Sequence, residues 1–383
     1  MTDERPGRGS VMERSPDTEA LGAGGTAGVT LLRIVASLAV PIISFVLLWI
    51  TFEFLRDAEA NRLVLAIVAI VVGVIGVFAL YWGMDLVVNL LPNRFAESVR
   101  PYVFVGPALV ILTVFLVYPA INTTVISFMD AQSQEFTGLD NYKFVFTDEG
   151  MLRSIRNTVG WIIVVPLFSV SIGLVFSTLV DRLRRGEALA KSMIFLPMAI
   201  SFVGASIVWR FIYSFRPEGF GEQIGLLNGI WMGLGGDPVA WLSSEPWNNL
   251  MLMVIMIWLQ TGFAMVILSA AIKAVPDDIL EAARIDGATE IQIFWRVIIP
   301  SIMSSIVVVS TTMVISVLKI FDIVWVMTNG QFGTEVIAER MVRWFFRNDH
   351  NGRGAAIAVV LFLAIVPVMY VNVRRFRAEE ALR

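Results

Sequence analysis

Six charged side chains crowd one stretch of an otherwise oily chain: Asp277, Asp278, Glu281, Arg284, Asp286 and Glu290. Their spacing points to contact chemistry rather than catalysis. Asp277 and Asp278 suit a helix N-terminus, where the macrodipole favours anions. Gly287 reads as the stop residue after that helix. Thr289-x-x-Gln292 reads as a capping box that starts a second one. The stretch 275–300 is therefore expected to form two short helices around a Gly bend, a preformed polar elbow. Ala282 and Ala283 are small enough for close approach by a partner. Other chemistries are poorly equipped. The chain has no Cys and one His, His350, which excludes disulfides, thiol nucleophiles and His-cluster metal sites. No G-x-x-x-x-G-K-[ST] phosphate-binding loop occurs.

The elements that hold this elbow are membrane helices. Of 383 residues, 57% are hydrophobic and only 16% charged, against about 25% charged in soluble domains. Mean hydropathy is +0.75. A span needs about 20 mostly apolar residues. Eight stretches qualify, near residues 30–54, 63–91, 102–127, 158–180, 191–212, 250–272, 297–327 and 355–373. They are long and apolar on every face, hence helices rather than barrel strands. The fold class is all-α integral membrane protein. Residues 1–29 are polar and Gly-rich and are expected to form a disordered tail. A net charge of −3 gives no support for nucleic-acid binding.

An even number of spans puts both termini on one side, and Lys/Arg bias selects which. With the termini inside, the inner loops hold Arg94, Arg100, Arg182, Arg184, Arg185, Lys191, Lys273, Arg284 and Arg296, and the C-terminal tail holds Arg374, Arg375 and Arg377. The opposite loop 213–249 holds only Arg216, although the loop 328–354 dissents with Arg340, Arg343, Arg347 and Arg353, the loop 128–157 holds Lys143, Arg153 and Arg156, and the short first opposite loop holds Arg56 and Arg62. Both termini are thus expected in the cytoplasm. In 213–249 the apolar run 224–234 suggests a short interfacial helix. In 335–348, Ile337, Met341, Trp344 and Phe345 recur at helical spacing opposite Glu339, Arg340 and Arg343. This reads as an amphipathic helix at the outer interface, either a membrane anchor or a docking surface. Ser310, Thr311 and Thr312 are expected to hydrogen-bond between helices. Lys319 and Asp322, at i and i+3, could pair on one helix face.

The elbow also resembles a family signature. Glu281-Ala282-Ala283, then Gly287, then Val297-Ile298-Ile299-Pro300 is similar to the EAA loop of ABC-importer permeases. That pattern is EAA, three residues, G, nine residues, then I-x-L-P. Val297 and Ile299 stand where it has Ile and Leu. The flanks 273–280 and Asp286-Gly287-Ala288 resemble the carbohydrate, MalF-like branch, as do Met327-Thr328-Asn329-Gly330 and residues 355–358. Lys319-Ile320-Phe321-Asp322 and Gln331-Phe332-Gly333-Thr334 are most similar to its alpha-glucoside permeases. The maltose permease of that branch carries a large outer domain after its third span. Here that loop is only about 128–157, so the loops 213–249 and 328–354 would do any docking.

The resemblance implies a six-helix type I importer core over 101–376, with the EAA coupling loop at 275–300. Two additional N-terminal helices (30–100) would precede it, and a short cytoplasmic tail (377–383) would follow. It implies a sugar permease in the cell membrane that is not itself an enzyme. Its partners would be a second permease in a heterodimer, two ATPase subunits and an extracytoplasmic solute-binding protein. The chain would need no cofactor of its own, with ATP and Mg bound by the ATPases. Glu281, Ala282, Ala283, Ile285, Asp286 and Gly287 would couple to an ATPase, with Leu280 and Ile285 packing into its cleft. By position relative to the motif, Met256, Leu259, Gln260 and Phe263, with Met313, Ser316, Val317 and Ile320, would line the path for a di- or oligosaccharide such as an alpha-glucoside. The alternatives are an importer for a polyol or glycerol phosphate, or an ion-coupled transporter. A phosphate would want cationic groups in the path, and an ion-coupled carrier would want mid-span acids. Both are scarce here.

Overall fold

A computed structural model describes residues 39, 42–43, 45–56, 61–89, 93–181, 183 and 185–380. The expected tail 1–29, the start of the first span, Arg182, Arg184 and residues 381–383 lie outside these. The described residues contain no strand, only one isolated antiparallel bridge between Met129 and Phe136.

The chain divides into two compact units, Met1–Pro119 and Ala120–Arg383. In the first, a helix over 45–56 (α1) precedes α2 (Arg62–Asn89) and α3 (Asn93–Leu112). Tyr81 of α2 stacks on Phe104 of α3 with centroids 5.9 Å apart. Arg100 reaches Asn89 at 2.8 Å and Asp85 at 4.0 Å. A π-helical turn, Thr113–Val117, follows α3 and leads into α4 (Tyr118–Ile126), where the second unit begins.

The second unit continues with α5 (Asp140–Thr147), α6 (Glu149–Val180), α7 (Glu187–Phe195), α8 (Phe202–Ile212) and α9 (Leu226–Gly233). Then come α10 (Trp247–Lys273), α11 (Asp277–Ile285), α12 (Glu290–Ile293), α13 (Ile299–Ser301), α14 (Met303–Leu318), α15 (Asp322–Met327), α16 (Ile337–Phe346) and α17 (Asn351–Glu380). The axis is α10, which packs against α6, α7, α8, α14 and α15. Its central window is 56% buried, against 29% or less in the other straight span-length helices. Lipid tails are as apolar as these side chains, so close contact rather than water exclusion holds such helices together. Gly262 provides one such contact. A Cβ there would sit 2.5 Å from Ile194 O and 2.7 Å from Phe195 Cα, so α7 lies directly on α10.

Among the described residues, five helices are long and apolar enough to cross a membrane, and up to seven spans result if each of two bent pairs counts as one. The expected fifth span is such a pair: α7 and α8 meet at 100°. Pro197 sits in a tight turn after α7, Ile200 is extended, and Ser201 Oγ accepts from Gly204 N at 3.1 Å to start α8 afresh. The expected seventh span bends by 67°. A π-helical turn (Phe294–Ile298) and Pro300 weaken the ladder there, and Ile302 leaves helical geometry.

Three expectations need correction. The seventh span stops at Leu318, and Lys319 to Phe321 break the helix before α15. Lys319 and Asp322 therefore do not share a helix face, and among the described residues neither forms an ion pair. Ser310, Thr311 and Thr312 donate to Ile306, Val307 or Val308 carbonyls of their own helix rather than across helices. Finally, the polar face of α16 is not wholly at the surface, because its first turn is buried. Ile337 and Ala338 join a buried cluster with Val145, Met151 and Ile357, and Glu339, on the presumed polar face, is fully buried. Arg343 pairs with that carboxylate from one turn away, while residues 340–345 stay half-buried and Phe346 is 81% exposed.

Candidate coupling site and translocation path

The elbow folds as its residue types dictate. α11 begins at Asp277 after Pro276, with Asp277 and Asp278 in its first turn. Its end is a full Schellman motif: Gly287 N donates to Arg284 O and Ala288 N to Ala283 O, each at 3.0 Å. Gly287 takes φ +80°, the left-handed region that glycine enters without steric cost. Thr289 and Gln292 close the capping box from both sides, Thr289 N donating to Gln292 Oε1 at 2.8 Å. Arg284 Nε meets Glu290 Oε1 at 3.0 Å, bridging the two arms.

The candidate coupling residues fall on two faces. Glu281, Ala282 and Ile285 point outward, and Ile285 is 83% exposed. Ala283, Asp286 and Gly287 line a notch of about 390 Å³ inside the elbow, with Gln292 and Arg296 opposite. Leu280 differs from expectation. It packs on the chain's own cluster around Val275 and Ile302, so it anchors the elbow instead of offering itself to a partner. Ile291 and Trp295, 73% and 62% exposed, extend the outward apolar surface in its place.

The candidate path residues gather on one side of α10. Met256 and Leu259 join Val317 and Ile320 in one buried cluster. Met313 lies in a second cluster, with Phe263 packed against it. Ser316 Oγ donates to Thr312 O at 3.1 Å. Gln260 is 9% exposed and its amide makes no hydrogen bond with the described residues. At about 100° per residue, Met256, Leu259, Gln260 and Phe263 share one face of α10, and Val254, Ile257, Trp258 and Thr261 the opposite one. That opposite face opens on a cavity of about 430 Å³, which Phe176, Pro197 and Trp209 also line. Trp209 and Trp258 meet edge-on at 5.8 Å, and the Trp209 indole N–H is buried without a partner. The motif spacing pointed only to the Met256 face, because α10 is apolar all round and periodicity does not separate its sides.

The family model described as "binding-protein-dependent transport system inner membrane component" matches residues 169–375, more than half of the chain. The chain belongs to that permease family. It is 57% identical over 280 residues to the osmoprotective compounds uptake permease protein GgtC of Synechocystis, covering 73% of this chain and all of that one. It is 46% identical over 334 residues to the alpha-glucoside transport system permease protein AglF of Rhizobium meliloti, covering 84% and 99%. Among solved structures, a bacterial ABC transporter that imports alginate shares the fold, with TM-score 0.64 at 22% identity over 74% of this chain and 99% of that one.

As a permease of this family the chain is a multi-pass membrane subunit and not itself an enzyme. Such permeases act with a second permease, ATPase subunits and a binding protein. Among the described residues no group of three or more His, Cys, Asp or Glu is placed to hold a metal. At about 1.5 Å per residue, the 27 residues of α10 put its two ends roughly 40 Å apart. The end away from the elbow is tied into a polar knot. Asn157 Nδ2 donates to Gly333 O and Glu335 O at 2.7 and 2.9 Å. Asn248 Nδ2 donates to Phe332 O at 2.6 Å, and Thr158 Oγ1 accepts from Ile337 N at 3.1 Å. The expected short helix in 213–249 is present as α9, with Asn228 at the centre of that loop's bonding to Ser214, Val239 and Trp241.

Proposed function

We propose that this chain is one permease half of an ATP-driven importer for a small neutral glycoside of the alpha-glucoside type, and that the elbow 275–300 is where an ATPase subunit drives it. The observation that carries the reading is the rigidly capped elbow, with Glu281, Ala282 and Ile285 turned outward at one end of the central helix. Glu281 would meet a basic group in the ATPase and Ile285 an apolar slot, while Ala283, Asp286 and Gly287 shape the notch. ATP and Mg would be bound by the two ATPases. Eight spans, with both termini and the elbow cytoplasmic, fit this arrangement. The loops 213–249 and 328–354, at the far end of α10, would then face the solute-binding protein.

The relatives support a glycoside or osmoprotectant, the substrates their names give. The residues assigned to the path carry no charge, which favours a neutral solute over a phosphate. The path would run along Met256, Leu259, Gln260 and Phe263 and across to Met313, Ser316, Val317 and Ile320. The test is reconstitution with the partner subunits in vesicles. Glu281→Lys and Ile285→Asp should each abolish sugar-stimulated ATP hydrolysis and uptake while the permease still folds. Uptake surviving both changes would refute the coupling role. Competition by maltose, trehalose, glycerol and glycerol phosphate would sort the substrate.

A further inference from the structure

Just before the elbow, side chains from three helices form one ionic node. Asp181, at the end of α6, lies 2.7 Å from Lys191 Nζ on α7 and 3.7 Å from Lys273 Nζ on α10. Ser269 Oγ on α10 lies 2.8 and 3.0 Å from the two Asp181 oxygens and donates to that carboxylate. Lys191 Nζ donates to Ser269 Oγ at 2.5 Å and to Glu187 at 2.8 Å, and Lys273 also pairs with Glu187. Exposed ion pairs contribute little, but this one is covered: the Asp181 and Lys191 side chains are 13% and 22% exposed. Removing one partner of a covered pair leaves a charge without compensation, which is far costlier than losing a surface contact.

The location gives the node a task. Only Ala274, Val275 and Pro276 separate Lys273 from α11, and Val275 is itself buried in the core. α7 is thus fixed to α10 twice, by the Gly262 contact with Ile194 and Phe195 and, two turns further on, by Lys191 on Ser269 and Asp181. Beyond α7 the chain turns into α8, which carries Trp209 to the cavity. We propose that Asp181 is a positioning residue of the transport cycle. It locks α7 to the elbow end of α10, so that a push on the elbow moves the bent pair α7–α8 with it. This rests on the elbow being the coupling site.

The natural absence of Cys makes the test direct. Spin labels on Leu189→Cys in α7 and Asp277→Cys in α11, both at exposed positions, report their separation in the reconstituted importer without nucleotide and with ATP plus vanadate. With Asp181 intact the distance distribution stays narrow and does not shift between the two states. With Asp181→Asn it broadens or shifts, and sugar transported per ATP hydrolysed falls several-fold while ATP hydrolysis persists. Asp181→Glu restores both. If Asp181→Asn does not assemble, Ser269→Ala keeps the Lys191–Asp181 ion pair and removes the α10 hydroxyl that both of them bond. A shift in the Asp181-intact protein, or an unchanged distribution and unchanged coupling ratio in the variants, overturns the proposal. A failed coupling reading shows up separately, as uptake that survives Ile285→Asp.

Discussion

Replacing Gly287 isolates the backbone geometry of the elbow from everything else. The residue sits at φ +80° and no atom lies within 4 Å of where a Cβ would be. A substitution there therefore meets no neighbour, and its cost is the left-handed conformation alone, about 1–2 kcal/mol for an L-residue. Because 1–2 kcal/mol is a factor of roughly 5–30 in an equilibrium, the formed elbow loses up to that factor against its opened forms. An ATPase that binds only the formed elbow loses apparent affinity by at most the same factor. Asn tolerates this region better than other side chains, and β-branched residues tolerate it worst. The expected order of binding is Gly, then Gly287→Asn, then Gly287→Ala, then Gly287→Val. The assay is titration of the ATPase subunit onto the permease in nanodiscs, with stimulated ATP hydrolysis as a second readout. Val binding as tightly as Gly, or Asn no better than Val, would show that the Schellman turn is not what the partner recognises.

Four other outcomes are expected. Gly262→Leu drives a side chain into the α7 backbone 2.5 Å away and should cost about 1–3 kcal/mol or more, read as a lower melting temperature in detergent. Asn157→Ala strips the Glu335 carbonyl of its side-chain donor and leaves Gly333 O with Asn249 alone, and an unsatisfied buried group costs about 1–3 kcal/mol. Faster amide exchange across 331–337 would confirm that loss. Burial holds the Glu339 carboxyl above its usual range, with Arg343 opposing. Its folded pKa thus exceeds its unfolded one, so its contribution to stability is full below the unfolded value and is lost as pH rises through the folded value. Between those pH values Glu339→Gln should flatten the stability profile, and identical slopes in both proteins would contradict the shift. Gln260→Ala should raise the transport KM if that unpartnered amide touches the solute, and an unchanged KM and rate removes it from the path.

Legibility in the sequence followed polarity. The elbow was readable to the residue because first-turn acids, Gly stop and capping box are local rules, and all three recur at Asp277–Asp278, Gly287 and Thr289–Gln292. Five of the expected spans coincide with helices long and apolar enough to cross a membrane, because length and hydropathy mark them. What failed was anything that depends on which side of an apolar helix meets protein. α10 carries hydrophobic residues on every face, so periodicity could not separate the Met256 face from the Trp258 face. The break at Lys319–Phe321 lies in an apolar run with no Gly or Pro, and nothing local marks it. α16 misled for the opposite reason. Its pattern is amphipathic, but Arg343 makes Glu339 fit for the interior, and that pairing is visible only once the neighbours are in place. Lys191 and Lys273 entered the sequence reading only as topology charges. The Glu187–Lys191 spacing of four residues was the one hint of the node.

That distribution of polarity has a mechanical logic. Along the middle of α10, contacts are apolar and compete with lipid of equal polarity, so they hold helices by shape alone, as at Gly262. At its two ends the contacts are directional: the ionic node and elbow at one, the knot of Asn157, Asn248 and Thr158 at the other. Directional bonds fix angle as well as distance. A helix clamped at both ends and smooth between them can tilt as a unit without repacking its midsection. A displacement applied at the elbow would then reach the far loops, roughly 40 Å away along α10, as a rotation rather than dissipating in side-chain rearrangements.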